Sequence, residues 1–291
     1  MTDGITIGVM GGSGLYTMAG LTDVQEHVVT TPFGAPSDAI LTGKLNGVPV
    51  AFLARHGRTH SLIPTEIPFR ANIYALKTLG VRYLMSVSAV GSMKEHIAPL
   101  DMVLPDQFID QTRQRQNTFF GQGAVAHVSM ADPVCSVLSG VVAEAFAEAQ
   151  IEGIGLHRGG TYVCIEGPAF SPRAESQLFR SMGASVIGMT NMPEARLARE
   201  AEMAYATLAL VTDFDCWHPH QACVTAELAI ANLRVNAERA QQVLRGAIAR
   251  LARDQPASPA HNALASALVT PPAAMAPAVQ ERLQALVARY R

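Results

Sequence analysis

The sequence predicts a single α/β domain in which helices flank a mixed, twisted central β-sheet. Three observations lead to this prediction. Hydrophobic residues make up 49% and charged residues 16% of the 291 positions, a composition typical of a folded chain with a large core and not of a disordered one. Several apolar runs are rich in β-branched residues and apolar on both faces, as buried strands are. Helical patterns alternate with these runs, which is typical of α/β architecture.

The elements follow from these patterns in chain order. The predicted strands are Ile5–Met10, Val48–Ala54, Tyr83–Val87, Met102–Leu104, Tyr162–Ile165, Val186–Ile187 and Tyr205–Val211. The predicted helices between them are Arg70–Leu79, Ser136–Ala149, Arg173–Met182 and Glu194–Met203. A long helix is predicted after Thr225, whose hydroxyl is a suitable N-cap, and the basic residues of Arg245–Arg253 suit its C-terminal end.

No linker divides residues 1–253, and we expect them to form one domain. Residues 254–277 are rich in Pro and Ala, which predicts an irregular connection to a last helix over Val279–Tyr290. We expect the whole segment 254–291 to pack on the same domain or on a neighbouring subunit.

Composition also excludes several classes of function. The net charge of −2 disfavours a nucleic-acid-binding protein. No apolar run approaches the roughly 18 residues that a membrane span needs. Four cysteines are too few for a disulfide scaffold in a chain of this length, so we expect a reduced, cytoplasmic enzyme.

Glycines follow the first strand, in the string Gly11–Gly14. Glycines let backbone N–H groups approach an anion, and Ser13 adds a hydroxyl. The string is not a dinucleotide-binding fingerprint, because Thr17 stands where the third glycine would be. An anion site and a tight turn both remain open here.

The string Leu53–His60 follows the second strand and contains Arg55, His56 and Gly57. A guanidinium offers a planar fork for phosphate oxygens, and an imidazole can donate or shuttle a proton. The string resembles the Arg-His-Gly motif of histidine phosphatases, where the histidine accepts the phosphoryl group. It also resembles the phosphate-site motif of one nucleoside phosphorylase family, and both interpretations stay open.

Three further strings follow apolar strands, namely Ser86–Ser92, Glu166–Ser171 and Ile187–Glu194. Small residues and hydroxyls at the carboxyl end of a strand suit a ligand site in an α/β sheet. Phe170 can stack on a flat ring and Thr190 can bind phosphate. Taken alone, each string also fits a turn or a core position.

Two carboxylates, Asp213 and Asp215, follow the last buried strand. Buried carboxylates are costly unless they are paired or used. Adenine presents an N6 donor beside an N7 acceptor. A carboxylate accepts from N6, and a protonated carboxyl donates to N7. A surface pair that closes the strand is the alternative.

Cysteine and histidine residues cluster at Cys216, His218, His220 and Cys223. Their spacing matches no familiar zinc pattern, and Pro219 restrains the local geometry. We therefore predict no metal site.

In this order, the strings resemble the 5′-methylthioadenosine phosphorylase branch of the trimeric nucleoside phosphorylases. The matching segments are Gly11–Gly14, Thr31–Asp38, Leu53–His60, Gln107–Asp110, Ile165–Ser176, Ile187–Glu194 and Thr212–Trp217. They span about residues 5–250. The resemblance weakens the phosphatase interpretation, because the phosphatase motif normally opens the chain.

The resemblance implies a nucleoside phosphorylase-like fold and phosphorolysis of methylthioadenosine to adenine and methylthioribose 1-phosphate. It implies inorganic phosphate as co-substrate, no metal or organic cofactor, and a homotrimer with sites at the interfaces. The implied phosphate site is Ser13, Arg55, His56, Ser88, Ala89 and Thr190. The implied nucleoside contacts are Phe170, Met189, Asp213, Phe214 and Asp215, with His127 supplied by the next subunit. Ser171, Gly188 and Ala226 stand where the family tunes substrate choice.

The chemistry gives the two carboxylates, Asp213 and Asp215, the catalytic role. Asp213 would share a proton with N7 of the departing purine, which needs a raised pKa of the kind that apolar neighbours produce. Gly188 departs from the asparagine that the family often has, so one polar contact is expected to be lost. Because methylthioinosine-specific relatives also carry Gly-Met-Thr, a 6-oxopurine nucleoside or methylthioinosine is the alternative substrate. The intact string Thr212–Asp215 favours a 6-aminopurine.

Overall fold

A computed structural model describes residues 4–12, 18, 20–220 and 223–291. Ser13, expected in the phosphate site, lies outside these described residues. Within them, the chain forms one mixed sheet of eleven strands with helices on both faces. The strands are β1 (Ile7–Gly11), β2 (Leu21–His27), β3 (Ile40–Leu45), β4 (Val48–Ala54), β5 (Tyr83–Ser92), β6 (Met102–Leu104), β7 (Gln107–Asp110), β8 (Leu156–Arg158), β9 (Thr161–Cys164), β10 (Ala184–Gly188) and β11 (Ala204–Asp213).

The centre of the sheet is parallel. β1 pairs with β4 and with β5, and β11 pairs with the other side of β5. All ten residues of β11 are buried, because helices cover both faces of these strands. The prediction of seven buried strands in an α/β sheet is confirmed, although β5 and β11 extend beyond their predicted ends.

The long strand β5 divides the sheet at its carboxyl end. Its last residues, Gly91 and Ser92, pair antiparallel with Ile187 and Val186 of β10. β10 therefore runs back along the last residues of β5 and ends at Gly188, close to Val90. The carboxyl ends of β1, β4, β10 and β11 meet around the second half of β5. This meeting point forms the site described below.

Four strands, β2, β3, β7 and β8, were not predicted from the sequence. β2 is a sheet edge, and its five central residues are exposed and mostly polar. β8 has only three residues and buries none of them. Such strands lack the continuous apolar character of the centre, so periodicity does not distinguish them from loops.

The helices are α1 (Phe69–Thr78), α2 (Ser136–Ala149), α3 (Arg173–Ser181), α4 (Asn191–Glu200), α5 (Ala226–Asp254), α6 (Pro277–Arg282) and α7 (Gln284–Val287). The predicted N-cap of α5 is confirmed, since Thr225 Oγ1 accepts the Leu228 N–H at 3.2 Å. None of the helices in the described part of the chain is long and apolar enough to cross a membrane.

The prediction of one last helix over Val279–Tyr290 is wrong. The segment forms α6, α7 and a 3-10 turn over Ala288–Tyr290. The chain turns at Leu283, and this turn lets Leu283, Leu286 and Val287 reach the core. The tail packs on α1, where the Ala285 N–H donates to the Tyr74 hydroxyl at 3.3 Å.

Candidate active site

A cavity of about 400 Å³ opens where the strand ends meet, a volume in the range of small-molecule sites. Short segments at or just after the carboxyl ends of five strands line its polar side. They are Gly12, Arg55 and His56, Ser88–Gly91, Gly188–Thr190, and Thr212 with Asp213. The opposite wall is apolar and was not predicted. It comes from Leu62–Pro64 and from one face of α5, including Ile230, Leu233 and Ala237.

Two hydroxyl groups mark one end of the cavity. Ser88 lies in the second half of β5 and Thr190 follows β10, and their oxygens lie 3.2 Å apart. Both residues are buried and both line the cavity. The sequence predicted each of them separately, and the antiparallel pairing of β10 with β5 brings them together. Ala89 also lines this end.

The guanidinium of Arg55 is hydrogen-bonded to the carboxylate of Glu194. Its Nε donates to Glu194 Oε2 at 2.6 Å, and its Nη2 donates to Glu194 Oε1 at 3.1 Å and to Ser86 Oγ at 2.7 Å. Nη1 donates to the Val87 carbonyl at 3.1 Å. The planar fork expected to bind phosphate is therefore directed at Glu194. Arg55 borders the cavity as a buried positive charge.

The Arg55–Glu194 pair is fully buried, with side chains 2% and 0% exposed. Burial by itself would lower the pKa of Arg55, but attraction to Glu194 and their hydrogen bonds outweigh it and hold this pKa above its usual range. Glu194 also accepts the Ser86 hydroxyl at 2.7 Å and the Tyr205 hydroxyl at 2.9 Å. The sequence analysis missed Glu194. The available signal was a carboxylate in the first turn of a buried helix, which needs a charged partner.

His56 also lines the cavity and has a defined orientation. Its Nδ1 is 2.8 Å from the Leu62 carbonyl, and its ring stacks on His60 with centroids 4.3 Å apart. Burial lowers the pKa of His56 to about 4. Because a carbonyl only accepts, the neutral ring carries its hydrogen on Nδ1 and leaves Nε2 as an acceptor. A bound anion would favour the protonated form, in which Nε2 donates.

Two buried carboxyl groups mark the other end of the cavity. Asp213 Oδ2 accepts the Thr212 hydroxyl at 2.6 Å, and Oδ1 accepts the Asp215 N–H at 2.7 Å. Burial raises the pKa of Asp213, and the nearby charge of Asp215 adds to the rise. Burial also raises the pKa of Asp215, whose backbone is left-handed with φ 53°. The direction of this shift is the one that proton sharing with a purine requires.

Most other predicted nucleoside and specificity residues line the same cavity. They are Phe170, Ser171, Gly188, Met189 and Ala226. Phe170 is 43% exposed and borders the opening of the cavity.

Two predicted contacts do not line the cavity of this chain. Phe214 faces away and packs on Trp217 and His218, with ring centroids 5.7 and 4.7 Å apart. Because successive residues at a strand end point to opposite sides, Phe214 lies off the cavity that Asp213 lines, and its contact with the nucleoside stays a prediction. His127 is exposed, and its backbone N–H donates to the Ala267 carbonyl at 2.9 Å. A contact with a neighbouring subunit's cavity stays a prediction.

Arg115 was also missed, and it joins two segments of the site. Its buried Nη1 donates to the carbonyls of Met189 and Met192, each at 2.7 Å, and its Nη2 donates to the Glu166 carbonyl at 2.7 Å. The chain after β10 is thereby tied to the chain after β9. A single arginine in a polar loop gives no sequence signal of this role.

The Cys and His cluster shows other contacts. The Cys216 thiol donates to the Ser171 carbonyl at 3.2 Å, and Arg173 Nη2 lies 3.5 Å from the Cys223 sulfur. Among the residues that the structure describes, no group of three or more His, Cys, Asp or Glu side chains is arranged to hold a metal ion.

Comparison with known proteins gives a consistent result. The family model of the phosphorylase superfamily matches residues 6–249. An S-methyl-5′-thioadenosine phosphorylase from Thermosynechococcus vestitus is 60% identical over 284 residues, which is 98% of each chain. A methylthioadenosine phosphorylase from an antarctic soil metagenomic library superposes with a TM-score of 0.94 at 60% identity, covering 98% of this chain and 99% of the other. The methylthioadenosine phosphorylase from Schistosoma mansoni in complex with adenine gives a TM-score of 0.81 at 35% identity, covering 86% and 92%.

Proposed function

This chain belongs to the phosphorylase superfamily, and we propose that it catalyses the reversible phosphorolysis of 5′-methylthioadenosine to adenine and 5-methylthioribose 1-phosphate. One observation carries the proposal. A single cavity has the hydroxyls of Ser88 and Thr190 at one end and the buried carboxyl of Asp213 at the other. Asp213 pairs with Gly91, three residues beyond Ser88 on β5. At about 3.3 Å per residue, the backbone positions of Ser88 and Gly91 are roughly 10 Å apart. This length along β5 accommodates a phosphate ion and a nucleoside.

The two ends serve the two halves of the reaction. A phosphate oxygen attacks C1′ while the C1′–N9 bond breaks through an oxocarbenium-like state. The hydroxyls of Ser88 and Thr190, with His56, hold phosphate beneath C1′, and the charge of Arg55 attracts it. The electrons of the broken bond enter the purine, which takes a proton at N7 from Asp213. Proton transfer of this kind contributes about 10²–10⁴-fold to rate.

Asp215 supports Asp213 in this scheme. Its N–H donates to one oxygen of Asp213 and fixes the direction of the carboxyl. Proton donation to N7 operates with either purine class, so Asp213 alone does not decide base preference. The name of the T. vestitus relative and the adenine in the S. mansoni complex support a 6-aminopurine. A 6-oxopurine nucleoside or methylthioinosine is the alternative.

Several further features form part of the proposal. Inorganic phosphate is the co-substrate, and no metal or organic cofactor takes part. The protein acts as a cytoplasmic homotrimer in purine and methionine salvage, and His127 reaches the 5′ end of the nucleoside in the next subunit. The exposed position of His127 supports this arrangement. Sedimentation analysis would test the trimer, and His127→Ala should raise the KM for methylthioadenosine without changing the KM for phosphate.

The direct test follows free adenine from methylthioadenosine with and without phosphate, with methylthioinosine and inosine in parallel. We expect phosphate-dependent adenine release and little release of base from the 6-oxo nucleosides. Activity on the 6-oxo nucleosides alone would retain the phosphate site and overturn the proposed base preference. Release of inorganic phosphate from phosphate esters would instead indicate a histidine phosphatase that uses His56.

A further inference from the structure

Behind the phosphate end of the cavity lies Tyr162, a buried tyrosine that the mechanism above does not use. It belongs to β9, is 0% exposed, and packs its ring against Phe108 with centroids 5.6 Å apart. Its hydroxyl oxygen is 3.1 Å from Ser88 Oγ. Tyr162 does not itself line the cavity. It contacts the residues that do.

The same hydroxyl occupies the space in front of Gly188. A Cβ atom at position 188 would lie 1.9 Å from the Tyr162 hydroxyl oxygen and 2.6 Å from Cζ. The backbone of Gly188 is not left-handed, so its conformation by itself is open to other residues. It is therefore Tyr162 that requires glycine at 188. The space that a larger side chain at this position would fill is occupied by a hydroxyl from the neighbouring strand.

The hydrogen bonds within this group of hydroxyls have a preferred direction. Ser88, Thr190 and Tyr162 each carry one hydroxyl hydrogen, and Ser88 Oγ lies within 3.2 Å of both other oxygens. A phosphate dianion accepts hydrogen bonds and donates none from its charged oxygens. If Ser88 and Thr190 both donate to phosphate, neither of them can donate to the other. The remaining hydrogen is that of Tyr162, which does not line the cavity.

The chemistry of Tyr162 suits it to donate a hydrogen bond to Ser88. Burial raises the pKa of its hydroxyl well above the usual value, so the group stays protonated and remains a donor. Donation to Ser88 Oγ polarises that hydroxyl and directs the Ser88 hydrogen outward. The competing acceptor for the Ser88 hydrogen is the Ala89 carbonyl, at a long 3.3 Å.

We propose that Tyr162 is a positioning residue for phosphate, acting through Ser88, and that it fixes glycine at position 188. The inference rests on the proposed phosphorolysis and deepens it. Without the Tyr162 hydroxyl, Ser88 Oγ would accept the hydrogen of Thr190, and phosphate would lose a donor.

The test is a double-mutant cycle on phosphate binding. Tyr162→Phe should raise the KM for phosphate about 3- to 10-fold, the effect of one hydrogen bond, and leave the KM for methylthioadenosine unchanged. Added to Ser88→Ala, the same substitution should have a clearly smaller effect on the KM for phosphate, because Ser88 is gone and only the hydrogen bonds of Tyr162 with Thr190 remain. A merely structural role would change both KM values together.

Tyr83→Phe is the matched control. The Tyr83 hydroxyl donates to the Pro256 carbonyl at 2.7 Å, and Tyr83 does not line the cavity. This variant removes a tyrosine hydroxyl from another part of the molecule, and the KM for phosphate should not change. An unchanged KM in Tyr162→Phe, or equal effects of Tyr162→Phe with and without Ser88, would overturn the inference.

Two further measurements keep the test decisive. If Tyr162→Phe does not fold, Gly188→Ala should displace the Tyr162 hydroxyl and raise the KM for phosphate, whereas a normal KM would contradict the inference. Titration calorimetry with inorganic phosphate measures binding without turnover. If the wild-type protein releases no adenine, the proposed function fails. The calorimetric effect of Tyr162→Phe would still decide the role of Tyr162.

Discussion

The phosphate end and the purine end of the cavity are both buried, but their polar groups are paired to different extents. At the phosphate end, Arg55 is neutralised by Glu194, and Ser88 is backed by Tyr162. At the purine end, Asp213 accepts short hydrogen bonds from the Thr212 hydroxyl and the Asp215 N–H, and neither carboxyl has a cation among its hydrogen-bonding partners within the described residues. The first arrangement fixes charge and geometry. The second raises carboxyl pKa values, which prepares a proton for transfer.

The largest effect is expected at the purine end. Asp213→Asn keeps the shape of the side chain but removes its acidic proton, so kcat/KM for methylthioadenosine should fall by about 10²–10⁴-fold. Phosphate binding, measured by calorimetry, should stay the same. Near-normal kinetics in this variant would remove Asp213 from the mechanism, and the two ends would then not differ in the way proposed.

At the phosphate end, the largest expected effect is a loss of stability when the Arg55–Glu194 pair is broken. Glu194→Gln leaves the Arg55 charge buried without a counter-charge, which costs about 3–5 kcal/mol of unfolding free energy. The control is Glu26→Gln, which breaks the exposed pair with Arg58 and should cost at most about 1 kcal/mol. Chemical denaturation of both variants checks the contrast. Equal losses would show that the buried pair does not hold this end together.

The two ends of the cavity should also differ in how their stability depends on pH. The pKa of His56 is lowered to about 4, so the folded state binds its proton less tightly than the unfolded state, where the pKa is about 6.5. The resulting stability is present above pH 6.5 and is lost as pH falls towards 4. Melting temperature should therefore decrease less over this range in His56→Gln than in the wild type, and phosphate should lessen the decrease in the wild type. A wild-type decrease no larger than that of His56→Gln would contradict the neutral assignment.

At the purine end the sign is reversed. Burial raises the pKa of Asp213, so the folded state binds this proton more tightly. The associated stability is present below the ordinary carboxyl pKa and is lost as pH rises through the raised value. The protonated fraction also falls, so kcat/KM should decline with rising pH, and this part of the profile should be absent from the residual activity of Asp213→Asn.

The smallest expected effect distinguishes two phenylalanines. Phe170 borders the cavity and Phe214 packs on Trp217. Phe170→Leu should raise the KM for methylthioadenosine about 2- to 10-fold, the effect of one aromatic contact. Phe214→Leu should leave this KM unchanged. Steady-state kinetics on both variants compares them directly, and the opposite ranking would return Phe214 to the nucleoside site.

Sequence reasoning succeeded where a local pattern is sufficient. Buried strands such as β11 have continuous apolar character, and polar residues at or just after the carboxyl end of a strand, such as Thr190 and Asp213, are recognisable candidates for a ligand site. It failed where a role depends on a distant partner. Glu194 lies 139 positions from Arg55, and Tyr162 is 74 from Ser88, so neither spacing indicates a contact. Phe214 shows a third limit, because the direction of a side chain after a strand ends depends on the backbone there.

The most direct test of the central claim is phosphorus-31 NMR of the protein with methylthioadenosine and inorganic phosphate. If one cavity holds phosphate beneath C1′ and protonates the departing purine, the phosphate signal should be converted to a sugar 1-phosphate signal in equal amount to the adenine released. Adenine released with no new phosphate ester would mean that water is the nucleophile, and that the hydroxyls of Ser88 and Thr190 do not hold the attacking group.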